Sequence, residues 1–204
     1  MESRKRAARD HFDKRASRWE RDRRSSWIEA VPREALAALE LSPYDRLLDV
    51  GCGTGPQVRS AAPTVERATG IDLSPAMIRE AVDLADGLGN VAFAIADAER
   101  LPFPDGAFSA VLCTLSFHHY PNPSAAVAEM ARVLEPGGRL AIGDACGDLL
   151  AARVADVFLR RFEPGHVKLY RSRELGELLH GAGLRRVEHR GLRNGGLAIV
   201  RAVR

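Results

Sequence analysis

Residues 46–55 hold the densest chemistry in the chain: an apolar run ends in Asp49, Gly51, Cys52, Gly53 and Gly55. Side chains are missing at Gly51 and Gly53, where a ligand must touch backbone, and Gly55 lets a strand and a helix pack closely. A glycine turn opening a helix suits a nucleotide-type ligand. The spacing departs from the dinucleotide fingerprint G-x-G-x-x-G, because Pro56 and Gln57 stand where its third glycine would fall. No lysine followed by Ser or Thr closes the turn, which excludes a phosphate-binding P-loop. Two further carboxylates follow strand-like stretches: Asp72, 21 residues after Gly51, and Asp97. Asp72 can accept both hydroxyls of a ribose, as an acidic residue does at the end of a second strand. A helix-capping role for it is redundant, since Ser74 already occupies the cap. Asp97 can accept from an exocyclic ring amine while Leu101 and Phe103 supply apolar neighbours. Taken singly, Asp97 reads equally as a turn aspartate.

These groups need elements that bring them to one edge. Strand-like runs fall at residues 46–50, 65–71, 90–96, 107–113 and 139–144. Helical stretches separate them: 55–62, then 75–85 behind the cap Ser74-Pro75, then 124–134, stopped by Pro136-Gly137-Gly138. Further helices are predicted over 148–162 and 172–182, with Ser172 as cap and Gly183 as stop. Residues 187–190 and 197–203, joined by Asn194-Gly195-Gly196, read as an antiparallel strand pair. At the N-terminus, Ala8, Phe12, Ala16 and Trp19 predict an amphipathic helix over residues 1–23. A second, over 28–39, starts at Ser25 and Ser26 and ends near Ser42-Pro43. Alternating strands and helices imply a parallel sheet with right-handed crossovers, its ligand edge carrying the carboxylates.

Composition narrows the class. A chain of 204 residues, 46% hydrophobic, suits a single domain over 1–204. Within it, 1–43 forms a helical cap, 44–145 the binding core, and 146–204 the remaining helices and closing strands. No apolar run approaches the roughly 18–20 residues of a membrane span, and the charged start lacks a secretory core. Three scattered cysteines, Cys52, Cys113 and Cys146, suit reduced thiols in the cytoplasm. No His/Cys/Asp cluster has metal-ligand spacing. The net charge of +3 divides into +5 over residues 1–24, +5 over 183–204 and −7 between them. Basic ends can attract a polyanion, but a solvated arginine-rich face accounts for them as well.

Residues 47–55, 70–75, 94–103, 108–119 and 134–140 follow one another as the consecutive motifs of class I S-adenosylmethionine-dependent methyltransferases do. The chain most resembles the ubiquinone/menaquinone-biosynthesis-like branch that acts on small molecules, strongly over 44–145 and more loosely beyond. The resemblance implies an α/β, three-layer Rossmann-like fold. Its seven-stranded sheet would be mostly parallel, with an antiparallel strand near the C-terminus. It implies S-adenosylmethionine as cofactor, with Asp49, Gly51, Cys52 and Gly53 at its methionine part, Asp72 at the ribose, and Asp97 with Ala98 at the adenine. Leu73 and Met77 would pack on the adenosine, the Cys113 backbone would face the methionine amino group, and Trp19 would close over the cofactor.

His118 and His119, just past the fourth strand, would lie near the methyl-transfer point, either as a base or as packing groups. His11 and His166 are weaker candidates, and Tyr120 and Tyr170 would line an acceptor pocket. The implied partner is a small-molecule acceptor, with no nucleic acid, no membrane and a monomeric or homodimeric state. Two other readings stay open: an RNA methyltransferase, and a non-catalytic protein that keeps the fold. Against the first, Cys113-Thr114-Leu115-Ser116 stands where an Asn-Pro-Pro-Tyr-type motif would be.

Overall fold

The computed structural model describes residues 2–23, 30–192 and 196–204. Its centre is a seven-stranded sheet in the order β3-β2-β1-β4-β5-β7-β6. The strands are β1 (Arg46–Val50), β2 (Arg67–Asp72), β3 (Val91–Ile95), β4 (Phe108–Thr114), β5 (Leu134–Ala145), β6 (Arg185–Leu192) and β7 (Leu197–Val203). β1 to β5 pair in parallel, whereas β7 runs antiparallel to both β5 and β6. The α/β architecture with its antiparallel C-terminal strand is thus as expected.

Strand periodicity explains the layering. Successive side chains alternate between faces, so Leu48 and Val50 of β1 join one core with Val111 and Cys113 of β4. Leu47 joins the opposite core with Ala110 and Leu112. Both faces are covered, which is why these strands read as continuous apolar runs. Helices α4 (Pro56–Ala61), α5 (Pro75–Leu84) and α6 (Pro123–Val133) make the crossovers; α3 (Ala30–Ala37), α7 (Leu150–Phe162) and α8 (Ser172–Gly181) complete the set beyond the N-terminal segment.

Several local expectations change. The N-terminal helix is broken into α1 (Glu2–Asp13), a 3-10 turn at Ala16–Arg18, and α2 (Trp19–Arg23). Asp13 ends α1 because its carboxylate is engaged elsewhere, accepting from the Ser74 hydroxyl and the Ala76 N–H. Pro136-Gly137-Gly138 lies inside β5 as a bulge, where the register jumps between Phe108 and Ala110. A Cβ on Gly138 would stand 2.9 Å from the Glu135 carbonyl oxygen, so the bulge needs glycine.

Ser172 is the first residue of α8 rather than its cap. Its N–H and hydroxyl donate to Asp148, and Glu174 accepts the Arg171 N–H. Asp148, predicted to be helical, is drawn out of α7 by that contact. Gly183, with φ +83°, stops α8 as expected. Ser25, Ser26, Asn194 and Gly195 lie outside the described residues. No helix among the described residues is long and apolar enough to cross a membrane.

Candidate active site

The carboxyl ends of β1, β2, β3 and β4 open onto one cleft, roofed by α1 and α2. The glycine turn forms its floor. The Gly51 and Cys52 N–H groups both donate to the Ile71 carbonyl at 2.9 Å, pinning the turn to β2. Gly51 has φ +77°, and a Cβ there would meet the Ser116 hydroxyl at 2.5 Å and the Tyr120 hydroxyl at 2.9 Å. Those two hydroxyls lie 3.0 Å apart and both donate to the Val50 carbonyl, a support that the spacing of single residues did not reveal. Gly55, at φ +75°, admits the Phe93 ring, 2.5 Å from where a Cβ would stand.

Asp72 closes the next wall. One carboxylate oxygen accepts the Gly53 N–H at 2.9 Å and the other the Ser74 N–H at 2.8 Å. Burial pushes the carboxyl above its usual value, with those N–H groups working in the other direction. At the end of β3, Asp97 accepts the Glu99 N–H at 3.0 Å and an ion pair from Lys5 at 2.6 Å. Lys5 Nζ also reaches Glu99 at 2.6 Å, so α1 is anchored to the outer rim of the cleft. The loop after Asp97 is held from behind by Arg132, which donates to the Leu101 and Phe103 carbonyls and to Asp105.

The roof is aromatic. Trp19 lies over the turn, with its Nε1 3.3 Å from the Cβ position of Gly53. Phe12 meets Trp19 and His119 edge-on, at 5.5 and 5.1 Å between ring centroids. Glu20 ties α2 to the turn through the Thr54 hydroxyl at 2.9 Å and Arg59 at 2.6 Å, contacts with no signal in the sequence pattern.

Of the residues singled out from sequence, Trp19, Gly51, Cys52, Gly53, Asp72, Leu73, Met77, Asp97, Ala98 and His119 line this cleft. Asp49 and Cys113 are buried in the strands that carry it and do not reach the lining. The neighbouring histidines part company in the 3-10 turn Phe117–His119. His118 turns away into a smaller pocket, its Nδ1 2.7 Å from Asp144. Burial alone would push the His118 imidazole down, but the Asp144 carboxylate holds it above its ordinary value. His119 is held well below its ordinary value by burial and by the charge of His118. Its ring interacts with the Gly165 backbone, and its Nδ1 is buried without a hydrogen-bond partner. Burial and the His118 charge both favour the neutral imidazole, whose Nδ1 lone pair is buried behind the cleft wall. Among the described residues, no group of three or more His, Cys, Asp or Glu side chains is placed to hold a metal ion.

Residues 48–142 match the family model described as a methyltransferase domain. The matched segment runs from β1 into β5, the strands whose ends carry the cleft. Over 110 residues, the domain is 44% identical to 27-O-demethylrifamycin SV methyltransferase of Amycolatopsis mediterranei, covering 52% of this chain and 40% of that protein. Over a further 110-residue alignment it is 36% identical to demethylmenaquinone methyltransferase of Tropheryma whipplei, covering 54% of this chain and 46% of the relative. The chain therefore spans less than half the length of these curated relatives. In fold, it superposes with a TM-score of 0.82 on the structure of a complex between the Haloferax volcanii Trm112 methyltransferase activator and a methyltransferase. That match is 21% identical and covers 94% of this chain and 96% of the other.

Proposed function

We propose that this chain transfers a methyl group from S-adenosylmethionine to a small-molecule acceptor. The observation that carries the reading is the convergence of Asp72, Asp97 and the Gly51–Gly53 turn on one cleft of a methyltransferase domain. The cleft fits the cofactor's chemistry. A fixed carboxylate at Asp72, already oriented by two N–H groups, keeps lone pairs for ribose hydroxyls. Asp97 offers an acceptor for the adenine amine beside the buried Ala98, with Leu73 and Met77 on the apolar wall. Cys52 and Trp19 flank the glycine turn where the methionine part would rest, while Asp49 and the Cys113 backbone back it from within the sheet. When bound, the cofactor supplies a methyl group activated by its sulfonium charge.

The protein's share is alignment, which accounts for roughly 7–11 kcal/mol of barrier in the best intramolecular cases. An acceptor that must lose a proton would pass it to His119, whose neutral ring stands in the cleft wall. His118, clamped to Asp144, would position that ring. The chain would act as one domain, with 1–43 as cap and 146–204 on the acceptor side. Three buried thiols suit a reducing, cytoplasmic setting.

Titration calorimetry with S-adenosylhomocysteine tests the reading without needing the acceptor. Binding at micromolar strength or tighter is expected, and its loss in Asp72→Ala. Wild-type protein that binds neither cofactor form would end it.

A further inference from the structure

Helix α7 faces the wrong way for a core helix. Asp156 is its buried residue; that carboxylate accepts from His166 and from the Leu169 N–H at 2.8 Å and clamps the helix to the loop before α8. The opposite side is apolar and open. Leu150 is 68% exposed, Val154 53%, Val157 67%, Phe158 62% and Phe162 73%. At about 100° per residue these five fall within one arc of the helix, with Ala151 inside it and Ala155 just beyond its edge.

Charge accompanies the stripe. Arg153 lies along one border of the arc and Arg161 within it; Arg160, on the same border, is paired with the buried Asp156, and the helix has no other acidic residue. Arg161 also lies over the Phe162 ring at 5.5 Å. On the other border, Phe158, Leu159 and Phe162 share an open groove of about 550 Å³ with His11 and Arg15 from the N-terminal segment; Glu163 is its acidic member. α1 adds Arg4 and Arg6, while its Lys5 is paired with Asp97 and Glu99 and its Arg9 with Asp10.

We infer that α7 is an interfacial anchor that lays its apolar face into the surface of an anionic phospholipid bilayer. A short helix with a wide apolar arc and arginines at its borders meets the requirements for lying in the headgroup layer, which are separate from those for spanning it. Anionic lipid is the occupant because the face is cationic where it is polar: headgroup phosphates pair with arginine while Phe158 and Phe162 enter the acyl boundary. A second copy of the chain would have to bring like charges together. The groove shared with the N-terminal segment places the anchor beside the roof of the cleft, so docking would hold that roof against the bilayer surface.

Sedimentation of the full chain with vesicles of phosphatidylglycerol and phosphatidylcholine, against phosphatidylcholine alone, tests it. Binding to the anionic vesicles is expected, weakening as salt is raised. Phe158→Asp with Phe162→Asp should lose at least tenfold in partitioning. Arg153→Glu and Arg161→Glu should each lose about fivefold or more. Because these side chains are exposed, the variants should keep wild-type melting and S-adenosylhomocysteine binding. Three outcomes overturn the inference: no binding to anionic vesicles, equal binding to neutral ones, or phenylalanine variants that bind as the wild type does. A concentration-dependent dimer in light scattering, lost in the phenylalanine variants and accompanied by no vesicle binding, would assign the face to a second copy instead.

Discussion

Replacing Asp144 by Asn removes the charge that holds His118 and leaves one oxygen where two now accept, Oδ2 from the His118 N–H and Oδ1 from the Ala145 N–H. The carboxylate and the imidazole are 2.7 Å apart, with side chains 10% and 14% exposed, so solvent screens the pair little. A hydrogen bond to a charged partner contributes about 1.5–3 kcal/mol. The expected loss is therefore about 2 kcal/mol at pH 6, or about 4–8 °C in melting temperature for a chain of this size. The pH dependence has a definite sign. The folded state raises the His118 pKa, so the pair's stability is fully present below the unfolded histidine value of about 6.5 and is lost as pH rises through the folded value. Urea unfolding at pH 6 and pH 8.5 should show a large wild-type-to-variant gap at the lower pH and a smaller one at the higher. An equal gap at both, or a larger one at pH 8.5, would refute the claim that the Asp144 carboxylate holds the His118 imidazole above its ordinary value.

Gly51→Ala should cost about 2 kcal/mol or more. A left-handed backbone disfavours alanine by roughly 1–2 kcal/mol, and the added methyl would press on the Ser116 and Tyr120 hydroxyls. A thermal melt with no change would remove that packing argument. Burial pushes the Cys113 thiol up to about 12 and lifts Cys52 well above its usual value, with Asp49 adding to the effect at Cys52. Mass spectrometry after iodoacetamide at pH 8 should find both unmodified in the folded protein and alkylated in urea, and labelling of folded Cys113 would contradict its burial. With an acceptor that must lose a proton, turnover should hold steady down through the ordinary histidine range and fall only at more acidic pH. His119→Gln should then lower kcat by about a hundredfold or more and remove that acid limb. An acid limb that survives the substitution would assign the proton to another group.

The strand ends were legible because their signals are local: an apolar run, a glycine or a cap, and a carboxylate between them. β1 with its turn, and the Ser74 cap of α5, need only residues adjacent in sequence. Contacts made at a distance were less visible. Asp13 breaks the N-terminal helix because Ser74 and Ala76, far along the chain, take its carboxylate. Pro136-Gly137-Gly138 has the composition of a loop, yet β4 draws it into the sheet as a bulge. His118 and His119 are chemically identical in sequence, and only the 3-10 turn sends one toward Asp144 and the other into the cleft. The outward face of α7 was equally hidden, since amphipathic spacing defines an apolar stripe without saying whether protein or solvent receives it.

The anchoring of α1 has a consequence for ligand exchange. Lys5 spans Asp97 and Glu99 at one end of this helix, and Asp13 holds Ser74 and Ala76 at the other. A ligand that took the place of Lys5 on Asp97 would have to displace an ammonium ion, and its observed affinity would be its intrinsic affinity reduced by the fraction of molecules in which the strap is open. The same strap, reclosing over a bound ligand, would slow its departure. α1 therefore couples how tightly the cleft binds to how fast it empties, and the N-terminal segment becomes a timing element as well as a cover.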